Sequence, residues 1–214
     1  MADITYVTYL FDPLCGWCYG ASAMLQKLAA RPDVAIHLAP TGLFASDNGR
    51  PMDESFAAYA WANDQRISHL SGQPFSEDYR LKVLGDRTGS INSAPATLAL
   101  TAVSLIAPDR EFEALKAIQK ARYVEGRDVT DISVLSLILR ALEQPKAADR
   151  LTASDSELIA ANRKRIADAR VEMRRFGAEG VPNLIVGVGS NRRLVRGGVL
   201  FERMEGLVEE LKAA

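Results

Sequence analysis

The chain has only two cysteines and two histidines in 214 residues. Cys15, Cys18, His37 and His69 lack the mutual spacing of a structural zinc site, which needs four ligands. Neither sign of charge is in surplus: 26 Lys and Arg stand against 27 Asp and Glu, for a net charge of −1. That balance supplies no field to gather nucleic acid or an anionic membrane, and neither partner is expected. Long hydrophobic runs are missing too. The longest weakly polar stretch, Ala94 to Ala107, carries Thr and Ser and is shorter than the ~20 residues that span a bilayer. The first basic residue is Lys27, after a start of Met1-Ala2-Asp3, so no secretory leader is read and the expected location is the cytoplasm. Structural disulfides are rare there, so a close thiol pair is expected to cycle rather than to staple the fold.

What is present is the composition of an ordinary soluble domain, 48% hydrophobic and 25% charged. The length suits one large domain, or one domain carrying an insertion.

The most informative stretch is Phe11-Asp12-Pro13-Leu14-Cys15-Gly16-Trp17-Cys18-Tyr19-Gly20. It joins an apolar strand-like run, Ile4 to Phe11, to a helix-like run, Tyr19 to Ala30. Side chains three apart in a first helical turn share a face, with Cβ atoms ~5–6 Å apart. A disulfide spans Cα separations of about 4.4–6.8 Å, so the two thiols can close and reopen without a backbone rearrangement. Unpaired N–H groups at a helix start carry roughly half a positive charge, which favours the reactive thiolate. Cys15, the outer residue, is therefore the expected nucleophile, and Cys18, one turn in, the resolving thiol. Gly16 is read as room for a partner chain and Trp17 as an apolar face beside the sulfur. The alternatives for the pair are half of a zinc site, including one shared between chains, and two inert core thiols.

Ile4 to Phe11 holds no acid or base to serve Cys18, and Asp12 is read as a turn or cap residue. Val34 to Leu38 is a second short strand, giving a βαβ unit with parallel pairing. His37 within it is read as a structural or surface histidine rather than a catalytic base. Thr41-Gly42-Leu43-Phe44 leaves the carboxyl end of that strand, the edge at which ligands bind in open α/β sheets. Leu43 and Phe44 are either substrate-facing or tucked into the core.

From Asp53 to about Arg175 the pattern is helical, with no strand signal. Asp53 opens a helix to about Leu70, its turns marked by Phe56, Tyr59 or Ala60, Asn63 and Ile67, and Gly72-Gln73-Pro74 stops it. Ser76 caps a short helix to Leu84. Ser93 caps a buried helix to Ala107, Asp109 one from Arg110 to about Val124, and Asp131 one through Leu142, closed by Gln144-Pro145. The last starts near Ser154 or Asp155 and runs to Phe176. Its apolar stripe is Ile159, Ile166, Ala169, Met173 and Phe176, and Arg163, Lys164, Arg165, Arg170, Arg174 and Arg175 are read as a solvated face. Strand signals return at Asn183 to Val186 and Arg193 to Arg196, a hairpin, followed by Gly197-Gly198 and a helix from about Phe201 to Lys212.

This order resembles an α/β thioredoxin-like fold with an inserted all-helical domain, and is similar to the DsbA-like branch of that superfamily. The resemblance rests on Asp12-Pro13-Leu14-Cys15-Gly16-Trp17-Cys18-Tyr19-Gly20 and on Gly180-Val181-Pro182, with looser matches at Gly42-Leu43-Phe44 and Asn92-Ser93-Ala94-Pro95-Ala96. It implies a discontinuous thioredoxin-like domain, residues 1–50 and 177–214, around a helical domain of residues 51–176. It implies a cis bond at Val181-Pro182, set against the sulfur, with the Val181 backbone offered to a substrate strand. Gly16-Trp17 replaces the Pro-His of periplasmic oxidants, which implies a less oxidising couple.

The leading expectation is a thiol–disulfide oxidoreductase acting through Cys15 and Cys18 on protein or glutathione-type disulfides. Leu14, Trp17, Phe44, Val181 and Pro182 would contact substrate. No metal or other cofactor is expected, glutathione being a candidate co-substrate, and the chain would act as a monomer or homodimer. Two rivals stand. One is a non-redox enzyme of the same fold, like kappa-class glutathione transferases or 2-hydroxychromene-2-carboxylate isomerases. The other is a client-binding module using an apolar cleft of Leu14, Trp17, Leu43 and Phe44.

Overall fold

A four-stranded sheet in the order β2-β1-β5-β6 carries the site, in a computed structural model that describes residues 4–45, 50–153 and 155–213. Met1, Ala2, Asp3 and the possible start at Ser154 lie outside the described residues. Strand β1 (Thr5–Phe11) pairs in parallel with β2 (Val34–Pro40) and antiparallel with β5 (Asn183–Val186). Strand β6 (Arg193–Arg196) continues the sheet antiparallel to β5. Both faces of β1 are covered toward its carboxyl end, from Tyr9 to Phe11, while Ile4 and Tyr6 around its start stay exposed. Val7, Tyr9 and Phe11 join the main core, while Leu10 joins Ala39, Ile185 and Ala169 in a second, smaller one. A stretch buried on both sides reads as a continuous apolar run, as Tyr9-Leu10-Phe11 does. Helix α1 (Gly16–Ala29) links β1 to β2 and buries Leu25 and Leu28.

Between β2 and β5 come β3 (Arg50–Pro51), α2 (Glu54–Ser71), α3 (Glu77–Tyr79), β4 (Ser90–Ile91), α4 (Ala94–Ile106), α5 (Glu111–Tyr123), α6 (Ile132–Ala141), α7 (Pro145–Ala153) and α8 (Ser156–Phe176). A 3-10 turn, Gly197–Phe201, and α9 (Met204–Lys212) close the described chain. The helical stretch is not free of strands, because Arg50–Pro51 pairs with Ser90–Ile91. Two residues are too few to show a period of two in sequence.

Several caps follow local chemistry. The carboxylates of Asp53, Asp131 and Asp155 and the hydroxyl of Ser76 each accept a first-turn N–H. Two expected caps are absent. Asp109 sits in a 3-10 turn ahead of α5, and Ser93 directs its hydroxyl to Asp12 instead. Pro145 does not end a helical region but opens α7, in the first turn where its missing N–H costs no hydrogen bond. The break before it lies at Glu143, whose φ is 59°. The closing helix begins at Met204 rather than Phe201.

The basic face of α8 also departs from expectation. Arg165 reaches inward to pair with buried Glu111 at 2.7 Å and donates to the carbonyl of Leu38 at 3.0 Å. Arg170 donates to the carbonyls of Thr41 and Gly42. Both tie α8 to the carboxyl end of β2 and the loop after it. Arg163 and Lys164 remain exposed.

Candidate active site

Cys15 occupies the N-cap of α1 in extended conformation, and its carbonyl accepts the N–H of Tyr19. The helix therefore begins earlier than its apolar pattern suggests, and its first turn holds Gly16, Trp17 and Cys18 with no acid. Both cysteines are free thiols. Cys15 keeps 6% of its surface exposed and Cys18 keeps 1%, the expected order of outer and inner thiol. Cys15 is more enclosed than an outer residue was expected to be. Burial, then the hydrogen bond and charge of Cys15, push the Cys18 thiol well above its ordinary value.

The loop before β5 lies against Cys15. Its Val181-Pro182 bond is cis, and the Cys15 thiol donates to the carbonyl of Val181 at 3.7 Å. Gly197, after the hairpin, holds this loop from behind: a Cβ there would overlap the Pro182 carbonyl. Asn183 adds two ties, donating to the Gly180 carbonyl and accepting the N–H of Gly197.

Asp12 is wholly buried and is more than a turn residue. One oxygen accepts the N–H of Leu14 at 2.9 Å; the other accepts the N–H of Phe44 and the hydroxyl of Ser93 at 2.7 Å. Burial raises its carboxyl above the ordinary value, against these hydrogen bonds. It joins the Cys15 turn, the loop after β2 and the start of α4 at one point.

A cavity of about 160 Å³ opens beside Cys15 between α1 and the helices α2, α3 and α5. Leu14, Trp17 and Phe44 line it, together with Phe56, Ile67 and Ile91. Trp17 packs edge-on against Phe201 and lies under the Arg66 guanidinium. Leu43, in contrast, is exposed and does not line the cavity. A larger open groove along Tyr6, Val188 and Arg193 holds neither cysteine.

Sequence reasoning passed over four polar residues of this cavity wall: Asp64, Tyr79, Arg122 and Tyr123. Asp64 is 5% exposed and accepts the Tyr79 hydroxyl at 2.9 Å; burial lifts its carboxyl to about 7. Arg122 is 2% exposed, lies over the rings of Tyr79 and Tyr123, and leaves its Nε without a hydrogen-bond partner. Tyr123 donates to the Leu14 carbonyl at 2.7 Å, bracing the turn that carries Cys15. The available signal was an acid on the buried stripe of α2, which runs through Phe56, Ala57, Asp64 and Ile67 rather than through exposed Tyr59. Gly16 serves this packing. A Cβ on it would stand 2.5 Å from Asp64 Oδ1 and 3.3 Å from Ile67.

Among the described residues no three His, Cys, Asp or Glu side chains gather as a metal-binding set. No helix there is long and apolar enough to cross a membrane.

A family model described as a DSBA-like thioredoxin domain matches residues 6–212. No curated protein matches the chain. A solved cytosolic disulfide reductase, DsbM from Pseudomonas aeruginosa, is 31% identical over 98% of this chain and 100% of its own, with a TM-score of 0.84. The same protein with GSH is also similar, at 30% identity, covering 97% of this chain and 100% of its own, with a TM-score of 0.82. A 2-hydroxychromene-2-carboxylate isomerase structure shares the fold at 18% identity, covering 96% and 95% of the two chains, with a TM-score of 0.64.

Proposed function

The chain belongs to the DSBA-like thioredoxin-domain family, and from that premise we propose that it exchanges disulfides through Cys15 and Cys18, in the cytoplasm, on protein or glutathione-type substrates. The observation that carries the reading is the placement of two free thiols at a helix start, Cys15 at its N-cap and Cys18 one turn in, the outer one against the Val181 carbonyl and beside an apolar cavity.

The ionised sulfur of Cys15 attacks one sulfur of the substrate disulfide. That S–S bond breaks, and the departing thiolate takes up a proton. Cys18 then loses its proton and attacks the Cys15 sulfur, freeing the second substrate thiol. The substrate gains two electrons and the pair becomes a disulfide. Two glutathione thiols return the pair to the dithiol and leave as oxidised glutathione. A similar disulfide reductase solved with GSH supports that co-substrate. Burial keeps Cys18 protonated until the mixed disulfide forms, which suits a resolving thiol that must not attack first. Substrate backbone would pair with Val181, with a neighbouring apolar group in the cavity lined by Leu14, Trp17 and Phe44. Pro182 supplies no N–H at that edge.

The test is trapping. With Cys18→Ser in cell extract, mixed disulfides accumulate on Cys15 and are released by reductant. Adducts confined to Cys18 in the Cys15→Ser protein would reverse the roles.

A further inference from the structure

We propose that Asp64 is a positioning residue of this site, a carboxyl from the helical segment that competes with the Cys15 sulfur for the positive end of α1 and so couples thiol reactivity to its own protonation. This rests on the reading of Cys15 as the attacking sulfur. Helix α1 has no acid in its own first turn. Asp64 supplies one from α2, with Oδ1 packed against Gly16, the residue next to Cys15. Its other oxygen is held by the Tyr79 hydroxyl, so the carboxyl is fixed in place. Asp64 and Cys15 line one cavity of about 160 Å³.

The groups facing Asp64 are few. From α1 come Cys15, Gly16 and Trp17, none a fixed charge; from α3, Tyr79; from α5, Arg122 and Tyr123. On α2 itself the nearest charge, Arg66, lies over Trp17. Arg122 and the Tyr79 hydrogen bond favour the ionised carboxylate, while burial opposes it more strongly and lifts its midpoint to about 7. The switch between neutral and ionised Asp64 therefore falls near neutral pH. Neutral Asp64 leaves the unpaired N–H groups of α1 to the Cys15 thiolate. Ionised Asp64 adds a negative charge to the cavity that Cys15 lines and at the Gly16 that follows it. The reduced form becomes less favourable, and the couple shifts toward giving its electrons away. An Asp64→Asn protein should lose this restraint.

The experiment is the pH profile of Cys15 alkylation by iodoacetamide in the reduced protein, with the modified residue identified by peptide mass. Near pH 5.5, where Asp64 is neutral, wild type and Asp64→Asn should react alike. Above pH 7 the variant should react roughly three- to tenfold faster, the scale of one charge acting within a shared cavity and offset in part by lower nucleophilicity. Tyr79→Phe removes a hydrogen bond to the carboxylate and should move the point of divergence to higher pH. That variant and the wild-type profile, broader than a single ionisation, keep the proposal testable if Asp64→Asn does not fold. Superposable profiles of wild type and a folded variant, with Cys15 labelled in both, would overturn the proposal and leave the exchange reading intact. Absence of label on Cys15 in the folded wild type would overturn both.

Discussion

Three buried acids surround the Cys15 turn or the helix that braces it, and each has its carboxyl raised chiefly by burial: Asp12, Asp64 and Glu111. The consequence for stability is clearest at Asp64. Its midpoint is about 7 in the folded protein and near 3.9 in an unfolded chain. Between those values the folded state holds the extra proton, so raising the pH through this window lowers stability. Asp64→Asn cannot ionise. Its stability relative to wild type should grow from pH 4 to pH 8 by about 2–4 kcal/mol, at 1.36 kcal/mol per pK unit, in urea unfolding followed by circular dichroism. An unchanged difference across that range would mean that Asp64 is not a buried acid of this kind.

At the scale of elements, two positions connect the sheet to the site. Arg165 on α8 pairs with Glu111 of α5, both largely buried. Arg165→Met would strand Glu111 without its charge partner and cost about 3–5 kcal/mol, whereas Arg163→Met, at an exposed position, should change stability by less than about 0.5 kcal/mol. Thermal or urea unfolding of the two variants separates them. Gly197 backs the Val181-Pro182 loop, where a Cβ would meet Pro182 backbone atoms. Gly197→Ala should push that loop out of contact with Cys15. Disulfide exchange should slow by tenfold or more, while stability falls by about 1–3 kcal/mol, the usual cost of overpacking. Exchange at the wild-type rate would show that the Val181 edge does not hold substrate.

Across the whole molecule, what was legible in the sequence was local or periodic. The strands around β1, the caps at Asp53, Ser76, Asp131 and Asp155, and the Cys15-Gly16-Trp17-Cys18 segment signal themselves within a few residues. The element order also sufficed for the fold, a thioredoxin-like one with a helical insertion. What stayed hidden depends on contacts between distant segments. Asp12 meets Ser93 81 positions away, and Tyr123 meets Leu14 109 positions away. Pro145 carries the same local signal whether it stops one helix or starts the next. Arginines on α8 look solvated because their partners lie on other elements. The cavity beside Cys15 is built almost entirely from such contacts, which is why its thiols could be read and its Asp64–Tyr79–Arg122 wall could not.

The claim that everything functional depends on is a two-step exchange in which Cys15 acts first and Cys18 second. The direct measurement is mass spectrometry of the reduced protein after mixing with one equivalent of oxidised glutathione. Wild type should end with a Cys15–Cys18 disulfide and two released glutathiones, and Cys18→Ser should stop with one glutathione on Cys15. A wild-type pair that stays reduced, or a Cys18→Ser protein that carries no adduct on Cys15, would contradict it.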